Sequence, residues 1–90
     1  MQEAGFDEST IAERLRTFFV EDLRWDVAPE QMDAEFMITG RIDSLGLFDL
    51  IGFLEDEFGV HVANEELAPG NFDSFGDVVR LVKAKAASAA

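Results

Sequence analysis

The chain has no cysteine, which removes disulfides and thiolate metal sites and leaves the redox compartment unread. Basic residues are scarce: seven Lys and Arg face nineteen Asp and Glu, for a net charge of −12. Nucleic-acid binding depends on Lys and Arg meeting phosphates, so this balance argues against it, and an anionic membrane surface repels the chain for the same reason. No apolar run approaches the ~18 residues of a membrane span. The first residues, Met1 to Asp7, have neither the basic stretch nor the apolar segment of a signal peptide. The expectation is a cytoplasmic protein without membrane contact.

What remains is enough for one folded unit. Ninety residues make a single domain with a single core. Hydrophobic residues make up 48%, and the aromatics are nine Phe and one Trp, so the chain is not compositionally disordered despite its charge. The acidity should draw basic protein patches from a distance, more strongly at low salt.

Residues 1–9 read as a polar lead-in, 10–83 as the folded domain and 84–90 as an Ala-rich tail. Thr10 with Glu13 fits a capping box, and Ile11, Leu15, Phe18 and Phe19 recur at helical spacing, so a first helix runs to about Asp22. Residues 23–42 form a long ordered loop pinned by Trp25, Val27, Met32, Phe36, Met37, Ile38 and Ile42, with a short turn of helix over Gln31 to Glu35. Asp43 or Ser44 caps a second helix, and Gly59 suits its C-terminal end. Val60-His61-Val62 alternates like a strand but has no partner. Asn64 caps a short helix over Glu65 to Ala68, and Ser74 with Asp77 makes another capping box for a last helix that fades after Lys83. The sum is a small all-α bundle of three main helices plus a minor one.

The second helix has two usable faces. At ~100° per residue, Leu47, Leu50, Ile51, Leu54 and Phe58 share a core stripe, while Leu45, Asp49, Gly52 and Asp56 cluster opposite. Phe48 and Glu55 lie on one shoulder of the outer face, so Leu45 and Phe48 are bare hydrophobes among carboxylates. That is the pattern of a docking patch, with apolar contact for affinity and charge for orientation. Ser44 has two readings: a plain N-cap, or a hydroxyl offered for covalent modification at a helix N-terminus that favours a phosphate. It is not equipped for catalysis. A nucleophilic serine needs a base and an oxyanion hole, whereas His61 lies beyond the far end of a helix roughly 22 Å long. No catalytic residue is assigned. No metal site is assigned either, because Leu stands where a calcium loop at Asp43 would need ligands.

The run Ile42-Asp43-Ser44-Leu45 opening a helix resembles the acyl carrier protein family and its peptidyl-carrier relatives. The likeness continues through the acidic triplet before Phe58-Gly59, Val60-x-Val62, Asn64-Glu65-Glu66-Leu67 and Ser74-Phe75, covering about residues 10–83. It implies a four-helix carrier-protein bundle without catalysis of its own. It further implies that a phosphopantetheinyl transferase places 4′-phosphopantetheine from coenzyme A on Ser44, flanked by Asp43 and Leu45, using magnesium held by the transferase. The arm would then hold acyl or aminoacyl groups as thioesters, its thiol supplying the sulfur that the chain lacks. Partners would be that transferase, a loading enzyme and downstream synthases with basic docking patches. Asp49, Glu55, Asp56 and Glu57 would meet them with charge, Leu45 and Phe48 with apolar contact. The chain is expected to act as a monomer.

Three departures from the fatty-acid pattern stand out. Gly46 replaces the usual acid two residues after the serine, Gly52 replaces a medium apolar side chain, and Ala63-Asn64 replaces a Pro-Asp-like start to the short helix. They point toward a stand-alone carrier of specialised metabolism or amino-acid activation, such as an aminoacyl carrier paired with an amino-acid-activating ligase. The alternative from another class is an acidic helical interaction module that is never modified.

Overall fold

The first helix begins one turn earlier than Thr10 suggests. In the computed structural model, which describes residues 6–67 and 70–89, the Asp7 carboxylate accepts the Thr10 N–H at 2.8 Å and caps α1, Glu8–Thr17. Asp is as good a cap as Thr. The earlier start also lets Phe6 pack edge-on against Phe58, 5.1 Å between ring centres. Residues 1–5 of the expected lead-in lie outside the described residues.

After Thr17 the helix widens to a π turn, Phe18–Asp22. The Leu23 N–H reaches the Phe18 carbonyl at 3.2 Å, and the Trp25 N–H reaches that of Phe19 at 3.0 Å. Arg24 takes the left-handed conformation (φ 61°), which turns the chain so that Trp25 stacks on Phe19 at 4.3 Å. The first helical segment therefore ends near Asp22, as its periodicity suggests, but in a wider form.

The following loop carries a 3-10 turn at Pro29–Gln31, ahead of the expected Gln31–Glu35. Proline suits the first position of such a turn, since its missing N–H is not needed there. Met32 and Ile38 are the fully buried anchors. Met37, expected as another, is 53% exposed. The backbone is extended here and pairs Met37 with Ser74 in an isolated bridge, so neighbouring side chains alternate and Met37 points out while Ile38 points in.

The loop is stapled to the start of the last helix. Ile38 N–H donates to the Asp73 carbonyl (2.9 Å), Phe75 N–H to Phe36 (2.8 Å) and Gly76 N–H to Ala34 (3.0 Å). A Cβ on Gly76 would lie 2.7 Å from the Ala34 oxygen, so glycine permits this approach. Ser74 and Asp77 cap reciprocally, N–H to side chain, at 3.0 and 3.2 Å, and α3 then runs Phe75–Ala89, well past Lys83.

α2 spans Ser44–Phe58, and Gly59 follows in the left-handed conformation. Leu50, Leu54 and Phe58 are buried, Leu47 and Ile51 half-buried. Val60 and Val62 turn inward while His61 between them is exposed, after which a 3-10 helix covers Asn64–Leu67. Asn64 thus belongs to the first turn; Glu66 reaches back to accept the Ala63 N–H at 2.9 Å. Residues 68–69 lie outside the described residues.

The three helices meet around Ile11, Leu15 and Phe19 of the first segment, Leu50 and Leu54, and Val78 and Val82. Burying each such side chain contributes about 1.5–3 kcal/mol. Aromatic rings run through this core as one connected series from Phe6 through Phe58, Phe53, Phe18, Phe19 and Trp25 to Phe36, with Phe75 branching from Phe19.

Candidate functional site

Asp43, not Ser44, is the N-cap of α2. Its Oδ1 accepts the Gly46 N–H at 2.8 Å, and its carbonyl accepts the Leu47 N–H at 2.8 Å. Ser44 therefore stands at the first helical position, with its side chain exposed. A serine at the cap would have its oxygen occupied by a backbone amide. Here Asp43 takes that task, and among the described residues nothing hydrogen-bonds the Ser44 hydroxyl. The Ser44 and Leu45 amides precede the first helical hydrogen bond, so both remain available at the positive end of the helix.

The backbone around this hydroxyl is held from behind. Ile42 N–H donates to the Ile38 carbonyl at 3.3 Å, tying the approach to a fully buried anchor. Gly46 is buried beneath the first turn, where an added Cβ would meet Ile42 Cγ1 at 3.0 Å and Asp43 Oδ1 at 3.2 Å. Ser44 thus projects from a fixed corner. Leu45 beside it is 76% exposed and Phe48, one turn on, 67%.

No protein-family model matches the chain. The acyl carrier protein of Solidesulfovibrio magneticus is 37% identical over 57 residues, 63% of this chain and 73% of that protein. The acyl carrier protein of Clostridium acetobutylicum is 31% identical over 74 residues, 82% of this chain and 94% of that one. The chain belongs to the acyl carrier protein family. That of Helicobacter acinonychis agrees, with 31% identity over 71 residues, covering 79% of this chain and 88% of its own length. As a member of the acyl carrier protein family the chain is a carrier and not an enzyme, and its small all-α bundle is the fold expected from the resemblance. Among the described residues no helix is long and apolar enough to cross a membrane.

The acids of α2 are not equivalent within this acyl carrier protein fold. Asp49 and Asp56 are exposed, and among the described residues their carboxylates have no hydrogen-bond or ion-pair partner. Glu55 folds back: its Oε2 accepts the Val62 N–H at 2.9 Å and lies 3.3 Å from His61 Nδ1. Glu57 pairs with Arg14 of α1 at 2.8 Å. Sequence reasoning missed both engagements, because each depends on a neighbour distant in the chain or beyond the helix end. It also missed Gly46 as a packing residue; its only sequence signal is a glycine in a helix interior, a placement unfavourable by about 1 kcal/mol unless something there requires it.

The site suits a phosphate-linked arm. The hydroxyl is exposed, the Ser44 and Leu45 amides have no hydrogen-bond partner among the described residues, and the one carboxylate at this helix mouth, Asp43, is turned onto the Gly46 N–H.

Proposed function

We propose that Ser44 receives 4′-phosphopantetheine from coenzyme A through a phosphopantetheinyl transferase, and that the chain then carries acyl or aminoacyl intermediates between enzymes of a specialised-metabolite pathway. One observation carries this reading: Asp43 does the capping, which leaves the Ser44 oxygen exposed and uncommitted at the helix mouth. In the transfer, Ser44 Oγ bonds to phosphorus as the pyrophosphate link of coenzyme A breaks, adenosine 3′,5′-bisphosphate leaves, and the hydroxyl proton passes to a base that the transferase supplies. When bound, the group supplies the thiol on which loads are held as thioesters. The free Ser44 and Leu45 amides would face the new negative charge, while Asp43 stays on the Gly46 N–H and keeps the corner rigid.

The finer assignments rest on the departures noted above. Gly46 has no room for an acidic side chain without moving Ile42 or Asp43, which supports a partner set unlike that of fatty-acid synthesis. The fully buried Phe19 and Phe75, with Phe18 beside them, fill the interior and support short or amino-acid loads over long acyl chains. Asp43 and Leu45 would frame the attachment point. Leu45, Phe48, Asp49 and Asp56 would meet partner enzymes, with Glu55 and Glu57 assisting only as far as their internal contacts permit.

The experiment is priming. The protein is incubated with coenzyme A, magnesium and a broad-specificity transferase and weighed intact. A gain of one phosphopantetheinyl unit is expected, absent in Ser44→Ala although that variant folds. A wild type that stays unmodified, or a variant that gains the same mass, refutes the assignment.

A further inference from the structure

Between the π turn of the first helical segment and the outer face of α2 runs an open furrow. It consists of two adjoining hollows of about 330 and 480 Å³, which share Phe18, Asp22 and Phe53 in their linings. The stacked Phe18–Phe53 pair makes the floor, and Phe48 stands at one end. Glu13 and Asp22 rise on the first helix, and Asp49, Asp56 and Glu57 on the second. Among the described residues the single base in the lining, Arg14, is tied to Glu57. The furrow thus joins an aromatic floor to banks on which Glu13, Asp22, Asp49 and Asp56 have no ion-pair partner among the described residues.

Gly52 lines it on the α2 side. This residue lies mid-helix, has no positive φ, and an added Cβ would meet nothing within 4 Å. Neither backbone conformation nor packing asks for glycine, which weakens a helix interior relative to alanine. Gly52 lines the hollow that Phe18 and Phe53 floor, so a large side chain at this position would enter it.

From this geometry we infer that the α1–α2 furrow is a docking groove for a basic segment of a partner protein, one that inserts an apolar side chain over Gly52 and sets Lys or Arg against both banks. It rests on the carrier reading for its purpose but not for its chemistry. It adds Phe18, Asp22 and Phe53 to the recognition surface and leaves out Glu55, whose carboxylate turns the other way toward Val62. Apolar insertion supplies affinity and the two acidic banks fix orientation.

The test uses the unmodified, isotope-labelled protein and a synthetic amphipathic leucine–lysine helical peptide as probe, with a leucine–glutamate peptide of the same pattern and oligolysine as controls. Amide shifts are expected to concentrate at Thr17–Asp22 and Phe48–Glu57. Gly52→Leu, which favours the helix and fills the groove, should weaken binding at least about tenfold. Asp22→Lys should weaken it about fivefold, while the same change at Glu65, on the short helix, leaves it within about twofold. The leucine–glutamate peptide should not bind. Oligolysine binding as tightly as the leucine–lysine peptide, shifts spread over the whole acidic surface, or indifference to Gly52→Leu would each overturn the proposal. So would sedimentation showing a dimer that Gly52→Leu dissolves, since the occupant would then be a second copy. Running the titration on Ser44→Ala separates the two ideas: failure of priming leaves the peptide result intact, and failure of peptide binding leaves priming intact.

Discussion

Two glycines in one helix should respond oppositely to the same substitution. Gly52 has open space where a Cβ would go, so Gly52→Ala gains the intrinsic helix preference of about 1 kcal/mol with no steric penalty. For a domain of this size that corresponds to a rise of about 4–8 °C in melting temperature. At Gly46 the same intrinsic gain meets Ile42 Cγ1 at 3.0 Å and Asp43 Oδ1 at 3.2 Å. Moving a packed side chain costs about 1–3 kcal/mol, and displacing the Asp43 oxygen weakens a cap of about 1 kcal/mol. The net for Gly46→Ala is a loss of about 1–3 kcal/mol. Urea unfolding followed by far-ultraviolet circular dichroism measures both, and the difference between the variants should be about 2–4 kcal/mol. If Gly46→Ala stabilises as much as Gly52→Ala, the buried corner that holds Ser44 is not as described. If Gly52→Ala destabilises, the furrow is not open there.

Other outcomes follow from the caps and the loop staple. Asp43→Ala should cost about 1 kcal/mol and speed amide exchange at Gly46, while Asp43→Asn keeps most of the cap; equal exchange in both would discount the capping role. Gly76→Ala should cost about 1–3 kcal/mol, because the Ala34 backbone must retreat from the new Cβ; a neutral melting curve would contradict the close approach. Hydrogen bonds from Lys85 and then from the Ala63 N–H hold the Glu66 carboxyl below its ordinary value of 4.5. A lowered value stabilises the fold above the unfolded-state pKa, and that contribution disappears as pH falls through the folded-state one. The stability gap between wild type and Glu66→Gln should therefore be full near neutrality and close on acidification; a gap constant with pH would rule out the linkage.

What the sequence made legible was local. Asp43 and Ser44 are neighbours along the chain, and the outward turn of Leu45 and Phe48 follows from helical period alone, so a cap at this corner and the bare hydrophobes could be read in advance, whereas the packing role of Gly46 could not. The Ser74–Asp77 box is equally local. Sequence alone places the start of α1 one turn late, at Thr10, because Asp7 is an equally good cap and its use is reinforced by a contact across the fold, Phe6 on Phe58. The π turn, the left-handed Arg24 and the Arg14–Glu57 pair have no local signature. They arise when Trp25 folds back on Phe19 and when α1 comes to lie beside α2. The furrow belongs to the same class, since its floor joins residues 18 and 53.

The spacing of charge along α2 has a consequence for a carrier. At 1.5 Å per residue, Asp49 lies roughly 7.5 Å along the axis from Ser44 and Asp56 roughly 18 Å. The screening length at physiological ionic strength is about 8 Å. A phosphate attached at Ser44 would therefore be felt at Asp49 and scarcely at Asp56 or within the furrow beyond Gly52. On the proposed function, docking energy placed at the far end of the helix would stay nearly the same whether the serine is bare, primed or loaded. A protein that must be recognised by several enzymes in each of those states benefits from that separation. On that reading Asp49 is the proposed docking acid close enough for the charge of a group on Ser44 to modulate recognition, because there the two charges would act on one another.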